Sequence, residues 1–292
     1  MKIVRNFIHE MQSDRLNSTI ILDATSTVLP MPDPIPSEYF IEEAKRLVEN
    51  AAAKSISMRI LGALAVRIHC SEFVELHRAL GRLGGATEFT DIDVMTYGDT
   101  RDKLEPFFKS LGYNPEPRVR KTPVIWAYRQ MYIEPKGQFH VDVFFDTLEM
   151  SHTIDFKNRL EVDRPTISLA DLVLEKMQIH HINEKDIKDT IVVIRAHPIG
   201  DWDKECINQD YIARLLSNDW GFYHTVTLNL NKTKLLLSDY AISQEDKADV
   251  TAKIDQLISR IEKEPKSMRF NMRAKMGEKK KWYNDVEETI RS

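Results

Sequence analysis

Two short runs of this chain alternate carboxylates with apolar residues, and elsewhere apolar positions recur at helical spacing. In Asp91-Ile92-Asp93-Val94-Met95 the two acids fall on one face of a strand and Ile92 and Val94 on the other, because successive strand side chains point to opposite sides. Phe139-His140-Val141-Asp142-Val143-Phe144-Phe145 reads as a second strand, with His140 and Asp142 sharing a face. Upstream, Ser57 to Leu61 forms a short apolar-leaning run that stops at Gly62 and passes into Ala63-Leu64-Ala65-Val66-Arg67-Ile68-His69, a strand that turns on glycine into a helix.

The same patterning predicts the flanking elements. Ser37 caps a helix to about Lys54 that carries Phe40, Ile41, Ala44, Leu47 and Val48 on one stripe. A helix from about Glu72 to Leu83 ends at Gly84-Gly85, and another from Arg101 to Leu111 has Thr100 as cap and Gly112 as stop. Val124 to Ile133 and Gln138 to Phe145 flank Pro135-Lys136-Gly137 as a hairpin, which would place Asp142 in an antiparallel pair. Ser168 with Asp171, and Asn183 with Asp186, open two further helices in the manner of a capping box. Pro30, Pro32, Pro34 and Pro36 make an extended connector of Val28 to Pro36.

His197-Pro198-Ile199-Gly200 interrupts the pattern, and beyond it lie polar, helical stretches at Cys206–Asn218, Asn218–Asn229, Ser243–Glu264 and Ser267–Arg291. The expected organisation is an N-terminal extension over 1–36, a first domain over 37–199 and a helical domain over 200–292. The expected fold class is α/β, or α+β by a strict count: a small mixed sheet flanked by helices.

Composition narrows the classes. With 42% apolar and 29% charged residues over 292 positions, the chain can build a substantial core, and its composition argues against global disorder. Its 41 Lys and Arg against 45 Asp and Glu give a charge of −4, which argues against a protein that coats nucleic acid indiscriminately. Cys70 and Cys206 are far apart and form no disulfide framework or zinc knuckle. The N-terminus lacks an apolar signal core and no long apolar run occurs, so a cytoplasmic protein without membrane contact is expected.

The chemistry resides in the acids. If the Asp142 strand neighbours the Asp91 strand, three carboxylates converge, and acids so placed repel and lose hydration unless a cation neutralises them. Hard oxygen donors suit Mg²⁺ or Mn²⁺, and a pair of such ions can clamp an in-line nucleotidyl displacement. Taken alone, Asp91-Ile92-Asp93 also reads as a strand-entry turn with salt-bridged acids.

The order strand, Gly, helix, Asp-x-Asp strand, single-Asp strand resembles the nucleotidyltransferase fold of the DNA polymerase β superfamily. The family's three motifs are matched by Leu61-Gly62-Ala63, Asp91-Ile92-Asp93-Val94 and Val141-Asp142-Val143. One position departs: Ala63 stands where Gly or Ser is usual, so a hydroxyl contact to the triphosphate is missing while its backbone N–H remains. Ser168 to Gln178, followed by Asn183 to Asp189, resembles a segment of uncharacterised bacterial and archaeal members related to AbiEii-type toxins. The likeness spans roughly residues 37–197.

The resemblance implies an NTP bound with its phosphates near Gly62 and Ala63, Mg²⁺ or Mn²⁺ held by Asp91, Asp93 and Asp142, and Arg67, Lys176 and Asp186 as nucleotide-binding candidates. Asp186 reads equally as a helix N-terminal acid. The leading function is metal-dependent transfer of a nucleoside monophosphate to RNA, protein or a small molecule. A catalytically lapsed nucleotide- or RNA-binding module, favoured by Ala63, is the alternative, and a toxin with an antitoxin partner is a third. His140 reads as a structural neighbour of the acids, and His180-His181 with His197 as surface or satisfied histidines, since adjacent helical residues diverge by ~100°. The C-terminal run from Lys263 to Lys281, with Phe270, Trp282 and Tyr283, reads as either a solvated helix or a nucleic-acid face, and Arg118, Arg120 and Lys121 as a loop that either overhangs the cleft or is merely exposed.

Overall fold

A computed structural model describes residues 34–83 and 88–286. Five strands form one mixed sheet: β1 (Met58–Ile60), β2 (Asp91–Thr96), β3 (Asn114–Pro115), β4 (Arg129–Ile133) and β5 (His140–Phe145), in the order β1-β2-β5-β4-β3. Only the β2–β5 pair is parallel; β1 with β2, β5 with β4, and β4 with β3 run antiparallel. The parallel pair needs a long crossover. It is supplied by α4 (Arg101–Ser110), β3, the short helices α5 (Pro117–Arg120) and α6 (Pro123–Tyr128), and the β4 hairpin.

Helices cover the sheet and extend beyond it. α1 (Ser37–Ala53) buries Phe40, Ala44, Leu47, Val48 and Ala51, the stripe its spacing predicted with Ile41 at the margin. The first helix after β1 is α2 (Gly62–His69), followed by a 3₁₀ turn and α3 (Val74–Ala79). After the small hairpin of β6 (Thr147–Glu149) and β7 (Thr153–Asp155) come α7 (Leu169–Met177) and α8 (Glu184–Ala196), both packed on α2. Ser168 accepts from Asp171 N and Asn183 from Asp186 N, as the capping patterns required.

Past residue 196, β8 (Ile199–Gly200) pairs in parallel with β9 (Ile207–Asn208), and α9 (Gln209–Leu216), α10 (Trp220–Leu236), α11 (Gln244–Lys263) and α12 (Met268–Ala274) follow. The buried apolar cluster is continuous from Phe40 to Ile261, so α8, α10 and α11 share a core with the sheet-bearing part. No helix among the described residues is long and apolar enough to cross a membrane.

Several elements differ from the sequence expectation. Val124 to Tyr128 belongs to a helix: Pro123 occupies its first turn, where no donor is needed, and the run lacks the alternation that would commit it to a strand. The helix expected over Glu72 to Leu83 stops at Ala79, because Gly81 at φ +67° takes the left-handed position that ends it; Gly84 and Gly85 lie outside the described residues. Neither Ser37 nor Thr100 caps by side chain: Ser37 is the first helical residue, and Thr100 Oγ1 donates to the Tyr97 carbonyl instead. Asn208 and Asp219 are the caps of α9 and α10, and the last helix ends at Ala274. The proline connector before residue 34 and the end of the chain lie outside the described residues, apart from Pro34 and Pro36.

Candidate active site

The parallel register of β2 and β5 sets Asp91 beside His140 and Asp93 beside Asp142. Neighbouring positions on paired strands share a face, so Asp91, Asp93, Asp142 and His140 meet on one side of the sheet. His140 Nε2 lies 3.2 Å from Asp142 Oδ2 and 3.8 Å from Asp91 Oδ2. Asp142 is buried, whereas Asp91 and Asp93 are half-buried at the N-terminal end of β2.

The electrostatics separate the acids. Burial, then the charges of Asp91 and Asp142, push the Asp93 carboxyl well above the ordinary carboxylate range. Burial acts on Asp142 in the same direction, but His140 and Arg129 outweigh it and hold its pKa below the usual value. Arg129, on the antiparallel neighbour β4, donates from Nε to Oδ1 at 2.9 Å and from Nη2 to Oδ2 at 2.6 Å, the two-pronged geometry that suits a guanidinium. Its guanidinium carbon also sits 5.5 Å from the ring centre of Phe144. Sequence reading missed Arg129, which precedes the acid by 13 positions and gains its meaning only from the hairpin.

Gly62 completes this corner. Leu61 N–H donates to the Asp93 carbonyl at 3.1 Å and Ile60 is bonded on its other side to the Pro165 and Ile167 backbone, which pins the turn against β2. Gly62 has φ +73°, and a Cβ there would meet Asp93 Oδ2 at 3.2 Å. Glycine is therefore required both by backbone conformation and by the approach of the acid. Gly62 N–H donates to Glu175 Oε2 at 3.2 Å, so the mouth of α2 is occupied by a buried side chain. Burial, partly offset by Lys176 and the Gly62 N–H, pushes Glu175 up to about 7. Glu175 is the fourth acid of the region; its one sequence signal is a carboxylate at a core-facing position of Leu172-Val173-Leu174-Glu175.

The other nucleotide-binding candidates have protein partners. Lys176 Nζ is buried and lies 2.9 Å from Asp186 Oδ1 and 3.1 Å from Asp189 Oδ2. Burial would lower its pKa, but Asp186, Asp189 and Glu175 raise it. Asp189 also accepts from Arg82 Nε at 2.8 Å and lies 3.4 Å from His77 Nε2, so these side chains form a buried ionic cluster on α8 that the sequence pattern did not reveal. Asp186 contributes its backbone N–H to the Asn183 cap as well. Arg67, on α2, lies 3.4 Å from Glu88.

Some of the remaining basic candidates are also engaged. Arg120, at the end of α5, pairs with Glu105 at 2.8 Å and lies against Trp126. At the C-terminus, Trp282 Nε1 donates to Thr225 Oγ1 at 3.1 Å and Tyr283 stacks on His180 with ring centres 3.6 Å apart. Arg269, Arg273 and Lys281 line a cavity of about 700 Å³ beside them.

Asp91, His140 and Asp142 each offer a ligand atom within 4.8 Å of the others, and Asp93 lies in register with Asp142. Clustered carboxylates with a depressed Asp142 suit a hard divalent cation, and the raised Asp93 is the acid such a cation would stabilise most.

No protein-family model matches the chain, and no curated protein matches it by sequence. Among solved structures, the chain is similar to the antibiotic-resistance factor ANT(2'')-Ia at 13% identity and a TM-score of 0.30, over 78% of this chain and 97% of that one. It is also similar to an antigenic nucleotidyltransferase-like protein from Paracoccidioides brasiliensis at 12% identity and a TM-score of 0.39, over 80% of this chain and 96% of that one. Neither likeness is close enough to assign an activity to this chain.

Proposed function

We propose that this protein is a metal-dependent nucleotidyltransferase that moves a nucleoside monophosphate from an NTP to an acceptor. The observation that carries the reading is the register of Asp93 with Asp142 across the parallel β2–β5 pair, with Asp91 on the same face. Three carboxylates there repel one another, and apolar side chains would be easier to bury, so the arrangement makes sense around a cation.

Asp91, Asp93 and Asp142 would hold Mg²⁺ or Mn²⁺, which when bound neutralises the phosphates and polarises the phosphoryl oxygens. Each of the chain's own groups has a physical task. His140 and Arg129 orient Asp142, each bonded to its carboxylate. Gly62 lets the backbone lie against Asp93 without a clashing side chain. Gly62 N–H is already taken by Glu175, so Ala63 N–H, unpartnered within the helix as first-turn donors are, leads for the phosphates. Arg67 adds positive charge on the same helix. Lys176 and Asp186 act on the nucleotide only if their ion pair opens to it, and otherwise hold α7 to α8.

A second reading draws on a specific observation. Asp142 already has the Arg129 guanidinium and the His140 ring on its carboxylate without an ion, and Ala63 supplies no hydroxyl. Both are compatible with a module that binds nucleotide without turning it over. Incubation of the purified protein with each of the four α-³²P-labelled NTPs, Mg²⁺ or Mn²⁺ and cellular RNA or lysate separates the two. Transfer labels RNA, protein or a small product, and the label disappears in Asp91→Asn and Asp93→Asn. NTP binding with no labelled acceptor establishes the module, and growth arrest on expression would add the toxin role.

A further inference from the structure

A second group of ligating side chains lies apart from the acids, where the ends of two helices meet a loop. His69 is the last residue of α2, His197 follows α8, and Glu205 sits in the connection from β8 to β9. Each offers a ligand atom within 4.8 Å of the other two. His197 Nδ1 is 3.8 Å from Glu205 Oε2, while its Nε2 faces Cys70 Sγ at 3.8 Å. His69 Nε2 is 2.7 Å from Thr166 Oγ1 and 3.1 Å from the Ile167 carbonyl, and the two rings meet edge-on with centres 5.8 Å apart.

His69 thus has Nε2 held by Thr166 and Ile167, the way metal-ligating histidines are oriented, while His197 keeps a hydrogen bond to the His69 backbone that an ion would replace. Two imidazoles and a carboxylate are a donor set for Zn²⁺ and its first-row neighbours, unlike the oxygen-rich set at Asp93 and Asp142. Donor atoms of a tetrahedral zinc site lie ~3.4 Å apart at ordinary Zn–N lengths, so the 3.8 Å His197–Glu205 separation needs little contraction.

The surroundings add an independent observation. A cavity of about 520 Å³ opens over the cluster and is lined by His69, His197, Glu205 and Asp163. Asp163 Oδ2 is buried there with no hydrogen-bond partner among the described residues. An orphaned carboxylate oxygen beside three ligating groups is explained by a donor the protein itself does not supply. Glu205 is held at φ +54°, a conformation a non-glycine side chain seldom adopts.

We propose that His69, His197 and Glu205 bind one Zn²⁺-class transition-metal ion, whose fourth position holds a water that donates to Asp163. The ion ties the C-terminal end of α2 to the end of α8. Because α2 begins at Gly62, the site braces the helix whose other end faces the acids.

The test uses the full chain carrying Asp142→Asn, which removes a ligand from the acidic site and leaves the histidine cluster intact. Co²⁺, a spectroscopic stand-in for Zn²⁺, should bind with one equivalent and give visible d–d absorption that Zn²⁺ abolishes. Zn²⁺ should also raise the melting temperature. Glu205 is largely exposed, so adding Glu205→Gln should leave the circular dichroism unchanged while weakening Co²⁺ at least roughly tenfold, and His69→Ala should remove the band. An absent band in the Asp142→Asn protein, or a band indifferent to Glu205→Gln, overturns the proposal. If Asp142→Asn does not fold, Asp93→Asn provides the background with the same outcomes.

Discussion

The guanidinium of Arg129 closes on both oxygens of Asp142, at 2.9 and 2.6 Å, and so occupies the charge that a metal would otherwise neutralise. The pair places a protein cation at the β4 side of the acidic face. Arg129→Leu would leave a buried carboxylate with His140 alone, at a cost of about 1–3 kcal/mol. The expected outcome is a lower melting temperature in EDTA, part of which saturating Mn²⁺ restores by taking over the neutralisation. Thermal melts with and without Mn²⁺ measure both effects. A deficit indifferent to Mn²⁺ would separate Asp142 from metal binding.

Asp93 has the opposite environment. Its raised pKa means that ionisation costs stability, so this contribution is fully present below the unfolded-state value and is lost as pH rises through the folded one. Asp93→Asn should therefore stabilise the metal-free protein at pH 7 while abolishing Mg²⁺-dependent NTP binding. Paired melting curves and calorimetric Mg²⁺ titrations check the two halves. An unaltered titration would remove Asp93 from the metal site.

Gly62 tests the close approach of backbone to acid. A side chain there is strained at φ +73° and meets Asp93 Oδ2, so Gly62→Val should cost ~1–3 kcal/mol and eliminate NTP binding. Ala63→Ser should leave affinity equal or higher, because it restores a hydroxyl without altering the turn. Calorimetry on both variants decides; normal binding by a folded Gly62→Val protein would locate the phosphates elsewhere.

Glu175 predicts a pH dependence. Its pKa rises to about 7, so the folded state holds the proton more tightly and stability declines as pH climbs from the ordinary glutamate range through 7. The shift corresponds to about 3 kcal/mol. Glu175→Gln keeps an acceptor for Gly62 N–H and removes the titration, so it should gain stability at pH 8 relative to pH 5, measured against the parent by urea denaturation. Parallel curves for the two proteins across that range would contradict the assignment.

Lys176 separates a structural from a nucleotide-binding lysine. Lys176→Met strands Asp186, leaves Asp189 with Arg82 and His77 alone, and should cost about 3–5 kcal/mol. A direct role on the triphosphate would instead weaken NTP binding at nearly unchanged stability. Urea denaturation and calorimetry on the one variant report both quantities.

What the sequence determined by itself is local. Alternation placed Asp91 with Asp93 and His140 with Asp142 on common strand faces, the capping pairs started α7 and α8, and the turn on Gly62 opened α2. These follow from periods of two and of 3.6 residues and from donors satisfied within a single turn. Val124 to Tyr128 escaped because an unalternated apolar run suits helix and strand alike.

Tertiary structure decided which strands became neighbours and in what register. The parallel alignment of Asp93 with Asp142 depends on a crossover of dozens of residues, and a slip of one position would have turned the acids to opposite faces. The same packing brought Arg129 to Asp142, Glu175 to Gly62, Lys176 to Asp189, and His69 to His197. A side chain's charge is written in the sequence, but its neutralising partner is chosen by the whole chain's burial of apolar surface, and no local pattern carries that choice.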